Sequence, residues 1–119
     1  MQYILAAHTD EDGRRTQTPE QQKSRAAAFV AYVQDLAKAG VLVGNYRPEP
    51  SSAAKTVRFV NGGAEIQEGP FAELPEPMTG LYVLDVPDEE TALLWAERHP
   101  AASIGAIEVR PVSPPPGRS

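Results

Sequence analysis

Between Thr18 and Gly40 the sequence marks out one long helix with both ends signalled, and this feature restricts the possible folds more than any other. Thr18 stands before Pro19 and three positions ahead of Gln21. That is the pattern of a capping hydroxyl, a proline at the first helical position and a side chain that reaches back to the cap. Gly40 follows Ala39 as a left-handed stop. Inside, Ala26, Phe29, Val30, Val33, Leu36 and Ala37 recur at three- and four-residue spacing, which predicts a helix over Pro19–Ala39 with that face packed on a sheet. Strand-forming runs flank it: Tyr3–Ala7 before, and Val41–Tyr46 after, the second closed by Pro48 and Pro50, which donate no ladder bond.

The second half repeats the scheme. Lys55–Val60 and Ala64–Gln67 read as a hairpin around Asn61-Gly62-Gly63, residues that tolerate positive φ. A loop over Ala72–Thr79, broken by Pro75 and Pro77, leads to a strand at Leu81–Val86. Asp88 then caps a helix running to about His99, Pro100 stops it, and Ile104–Val112 forms the last strand. The order β, α, β, hairpin, β, α, β is two βαβ halves with an inserted hairpin. It predicts an α+β, ferredoxin-like antiparallel sheet with helices on one face, a single domain over residues 1–112 and a disordered, proline-rich tail over 113–119. Tyr82, Leu84 and Val86 share a strand with Leu81 and Val83, so both faces of the sheet are apolar. We expect the face without helices to be closed by a second copy, giving a homodimer. The alternative is that the hairpin and the proline loop fold over that face within one chain.

Composition removes several function classes. The chain has 119 residues and no cysteine, so it holds no disulfide, thiolate metal site or cysteine nucleophile. No apolar run approaches the roughly 20 residues that span a bilayer. The net charge of −5 repels nucleic acid and anionic membrane surfaces alike. A soluble, cytoplasmic protein is expected. There is no glycine-rich phosphate loop, serine elbow or histidine pair at metal spacing. Asp10-Glu11-Asp12 reads as a solvated acidic run, and His8 with Asp10 and Asp12 makes too weak a ligand set to imply an obligatory metal.

Several segments together resemble a known pattern: Glu68-Gly69-Pro70-Phe71-Ala72-Glu73, Gly80–Val86, Trp95-Ala96, His99-Pro100-Ala101-Ala102 and Glu108-Val109-Arg110-Pro111-Val112. They resemble the YCII-related family in its DGPF-motif branch. The resemblance implies a dimeric α+β barrel and a small-molecule enzyme without an assigned reaction. The chain departs from the pattern at Glu68, where the motif has aspartate, at Pro75 in place of a lysine, and at Thr79 in place of the first glycine of a pair. The other branch pairs a histidine on the first helix with an aspartate. Helix one here contains no histidine, so that dyad does not transfer.

The catalytic candidates read from position are His8, at a strand end beside acidic residues, with Glu68 and Glu73 in the turn motif. His8 needs a carboxylate such as Asp10 or Glu68 to orient it, and burial would retune Glu68. Its alternative is a solvated loop histidine; for the two glutamates, it is loop-pinning hydrogen bonds. Arg58 and Arg110 alternate with apolar neighbours and suit an anionic substrate group, with Tyr82 beside them and Glu108 as an alternative salt-bridge partner. His99 is expected in the last helical turn as an imidazolium favoured by the helix dipole, and Trp95 in the core. The function expected is cofactor-free acid/base chemistry on a small anionic organic substrate: elimination, isomerisation or cyclisation. The alternative is a non-catalytic ligand-binding or protein-interaction module.

Overall fold

The computed structural model describes residues 1–11 and 17–114; Asp12 and the tail beyond 114 lie outside the described residues. The elements run β1 (Gln2–His8), α1 (Pro19–Lys38), β2 (Leu42–Tyr46), β3 (Lys55–Val60), β4 (Gly63–Glu68), β5 (Met78–Asp85), α2 (Glu89–Glu97) and β6 (Ala106–Pro111). Four strands form one antiparallel sheet in the order β2-β5-β1-β6, and β3 with β4 forms a separate two-stranded sheet. Each βαβ half therefore straddles a strand of the other half, which is the ferredoxin-like topology with a hairpin inserted before β5.

Both helices start and stop where their termini are chemically satisfied. Thr18 Oγ1 accepts from the Gln21 N–H at 3.1 Å and Gln21 Oε1 accepts from the Thr18 N–H at 3.0 Å, a reciprocal cap. At the other end Gly40 takes φ 73°. Its N–H donates to the Ala37 carbonyl at 3.0 Å, and the Val41 N–H donates to the Leu36 carbonyl at 3.2 Å. This Schellman closure sends the chain straight into β2. Asp88 caps α2 by accepting from the Thr91 N–H at 2.8 Å. That helix ends at Glu97, short of the expected His99, because Pro100 disfavours helical backbone in the residue before it. His99 is extended at φ −64° and ψ 132°, and its Nδ1 accepts from the Ala101 N–H at 3.0 Å, capping the short 3₁₀ turn Pro100–Ser103.

The core lies between the sheet and the helices. Tyr3, Leu5, Tyr82 and Leu84 meet Tyr32 and Leu36 of α1 and Ala92 and Ala96 of α2, and Leu5, Leu36 and Leu84 are fully buried. Each such leucine contributes about 1.5–3 kcal/mol of burial. Trp95 packs half-buried against this cluster. The buried stripe of α1 differs from the one the spacing predicts. Tyr32 enters the core because its hydroxyl finds the Trp95 carbonyl at 2.7 Å, whereas Ala26 and Val30 stay exposed.

The opposite face of the sheet presents Ile4, Leu81 and Val83, all half-buried, with the exposed Glu108 and Arg110. The hairpin does not cover it. Asn61 at φ 52° and Gly62 at φ 80° make a two-residue turn of the mirror-image type that matches strand twist. Val57, Phe59 and Ile66 line one side of the resulting arm, and Phe59 is 79% exposed. The hairpin therefore does not close the outer face within the chain, while the proline loop meets that face at His8, whose Nδ1 lies 2.9 Å from the Glu76 carbonyl oxygen.

Candidate functional site

A cavity of about 330 Å³ opens between α1 and the sheet, and its origin is visible in the side chains. Ala7 of β1 and Gly80 of β5 face each other in the ladder, beside the irregularity that shifts the register between Ala7 and His8. Two such small residues leave a gap beneath the helix. Phe29, Val30 and Val33 roof it, and Asn45, Tyr46 and Arg47 at the end of β2 close one side. The apolar stripe read from α1 is thus divided in its use: Leu36 serves the core, while Phe29, Val30 and Val33 line a pocket. Five neutral polar side chains line the cavity, from Gln34, Asn45, Tyr46, Thr79 and Tyr82.

Tyr82 forms the inner wall. It is 5% exposed, and burial raises the pKa of its phenol, an effect that the nearby Arg47 guanidinium opposes. The hydroxyl has no hydrogen-bond partner among the described residues, so it is free to bond a guest. Behind it stands an aromatic cluster in edge-to-face contact, with ring centroids of His99 at 4.8 Å from Tyr32, 5.0 Å from Tyr82 and 5.5 Å from Phe29. His99 is 2% exposed and its Nε2 has no partner among the described residues. Burial in this apolar box depresses its pKa to about 4. The ring is therefore neutral near pH 7. The imidazolium expected at the end of α2 is not found, because the residue lies beyond the helix and inside the core.

Comparison with known proteins places these features in a lineage. The family model described as the YCII-related domain matches residues 1–115. The chain belongs to the YCII-related family. An uncharacterized protein of Rhizobium meliloti (strain 1021) is 30% identical over 115 residues, covering 95% of this chain and 93% of that one.

In this YCII-related chain the residues singled out from sequence do not form one site. His8 ends β1 half-buried, and its Nδ1 lies 2.9 Å from the Glu76 carbonyl oxygen, so a backbone group orients the ring where a carboxylate was expected. Glu68 is exposed at the base of the hairpin and pairs with Lys55 Nζ at 2.6 Å; the burial that was to retune it is absent. Glu73 is exposed and borders a separate groove with Asp10 and Glu11. Glu11 itself is engaged by the Ser51 N–H and hydroxyl. Arg58 lies on the hairpin with its guanidinium 4.7 Å from the Phe71 ring centroid. Arg110 pairs with Glu108 at 2.6 Å within β6, on the outer face. Tyr82 lies on the inner face, since it pairs with Leu5, whereas Arg110 and Glu108 pair with Ile4 and Ala6. It is thus not beside the arginines as expected.

Of the sequence candidates, only Tyr82 lines the pocket under α1. Sequence reasoning missed Arg47, Gln34 and Asn45. A signal for Arg47 existed: it directly follows β2 and precedes Pro48, at a strand end on the rim of the sheet.

Proposed function

We propose that the pocket under α1 is the functional site of this protein and that it binds a small organic molecule with a largely apolar body. One observation carries this reading: a preformed, mostly apolar cavity of about 330 Å³ with an unpartnered Tyr82 hydroxyl and the Arg47 guanidinium at its wall. Apolar lining with a few convergent polar groups is the usual build of a small-molecule site. The raised phenol pKa keeps Tyr82 protonated, so it serves as a hydrogen-bond donor to the guest. Among the described residues no carboxylate or imidazole lines the cavity, and binding is therefore the activity we assign to it.

The test is a thermal-shift screen of aromatic and aliphatic acids, alcohols and ketones against the wild type and a Val30→Trp variant, which fills the mouth of the pocket. A ligand at a hundredfold excess over its Kd adds about 2.7 kcal/mol, a shift of several degrees for a domain of this size. Stabilisation that disappears in Val30→Trp supports the reading. Stabilisation unchanged by the variant, or none with any compound class, contradicts it.

A second reading retains acid/base chemistry, and His8 favours it. A carbonyl oxygen only accepts, so the 2.9 Å contact with Glu76 assigns the ring proton to Nδ1 and leaves Nε2 as a base. In this reading a second copy of the chain closes the outer face over Ile4, Leu81 and Val83, and an elimination, isomerisation or cyclisation proceeds beside His8. Light scattering tests its first requirement: a dimer at micromolar concentration is expected, and a monomer removes the reading.

A further inference from the structure

A second cavity, of about 400 Å³, adjoins the first and shares Phe29, Val30 and Arg47 with it; Arg25 and the amides of Gln17 and Gln22 complete its lining. The two spaces differ in chemistry. The first is walled by aliphatic and aromatic surface, whereas the second brings in a second guanidinium. No carboxylate among the described residues lines either one. Asp35, Glu68, Asp85 and Glu108 are all in ion pairs elsewhere, and none of these pairs involves Arg25 or Arg47.

Arg25 is half-buried on α1, and the Gln17 side-chain amide lies against its guanidinium, where only the amide orientation that turns the oxygen inward accepts from its Nε and one terminal nitrogen. A guanidinium has five N–H donors in a fixed planar fork, so donors remain for a guest. Arg47 stands at the shared wall, close enough for its charge to favour ionisation of Tyr82.

We infer that the two cavities form one site for an amphipathic organic anion, its apolar body under α1 and its oxyanion at the Arg25 and Arg47 guanidinium groups. This rests on the pocket reading above and adds the class of ligand. Guanidinium groups bond oxyanions with charge assistance, and two of them meet at this rim in a chain whose net charge is −5.

Calorimetric titration of the full chain with four probes tests it: 4-phenylbutyrate, 4-phenylbutan-1-ol, 4-phenylbutylammonium and acetate. The expected result is that phenylbutyrate binds, that the alcohol binds about tenfold more weakly, and that the ammonium compound and acetate give no heat of binding. Arg25→Gln weakens phenylbutyrate by about tenfold and leaves the alcohol unchanged, and Arg47→Gln weakens phenylbutyrate by a larger factor than the alcohol, with amide spectra confirming that both variants fold. Equal affinity for acid and alcohol, or indifference of the acid to both variants, overturns the oxyanion site while the pocket stands. Failure of all four probes on the wild type overturns the pocket reading, and this inference with it.

Discussion

The two faces of the four-stranded sheet are built from the same kinds of residue and end in different states. On the inner face Leu5 and Leu84 are fully buried beneath helices, and Tyr82 separates a packed core from an open pocket. On the outer face Ile4, Leu81 and Val83 are half-buried, and the charges of Glu108 and Arg110 satisfy each other. Alternation along a strand tells which residues share a face, but the fate of a face depends on what arrives from far along the chain. Here α1 and α2 both land on one side. The groups read as catalytic from sequence fall mainly on the other side, or on the hairpin, where they are exposed or paired.

The sharpest contrast is energetic. Leu84→Ala should cost about 2–5 kcal/mol at any protein concentration, because it opens a cavity in a closed core. Val83→Ala, one position along, should cost less than ~1 kcal/mol in dilute solution if nothing covers the outer face. Denaturant titrations at two concentrations separate these outcomes, and equal losses in dilute solution would erase the distinction between the faces.

Acid should weaken the inner face next. The pKa of His99 is about 4 in the folded chain and near 6.5 when unfolded, so between those values the unfolded state binds the extra proton. Stability contributed by the neutral ring is complete above pH 6.5 and is lost as pH falls from there toward 4, by on the order of 3 kcal/mol. His99→Asn, whose side-chain oxygen can still accept from the Ala101 N–H, should flatten that part of the stability–pH curve. An unchanged slope would mean that the buried imidazole is not its source.

Tyr82→Phe sharpens the comparison within the inner face, since it removes a hydroxyl that has no partner among the described residues. Stability should change by less than about 0.5 kcal/mol, while affinity for a ligand accepting that hydrogen bond falls about tenfold. Arg110→Ala on the outer face should move stability by less than about 0.5 kcal/mol, because it breaks only an exposed pair. A larger loss there would show that the pair is buried in an assembly.

Much of the fold was legible in the sequence because its signals are local. Thr18, Gln21, Gly40 and Asp88 act on their own helix ends, and Asn61-Gly62 sets its own turn. The element order then leaves few topologies, of which the ferredoxin-like one is observed. The pocket was not legible, since it exists where Ala7 and Gly80, far apart in sequence, meet in register and leave space under α1. Tyr32 was missed because periodicity weighs hydrophobicity and not the carbonyl that satisfies a buried phenol. His99 was misplaced for a related reason: its neighbour Pro100 ends the helix early, which turns a terminal cation into a core ring.

The central claim is that ligand chemistry belongs to the helix-covered face. An amide-resolved titration of isotope-labelled protein with 4-phenylbutyrate tests it most directly. The account predicts saturable shifts clustered at Phe29, Val30, Val33, Asn45, Arg47 and Gly80–Tyr82, with the amides of Ile4, His8 and Glu108–Arg110 unmoved. Shifts concentrated at His8, Ile4 and Arg110 instead would place the site on the outer face and contradict it.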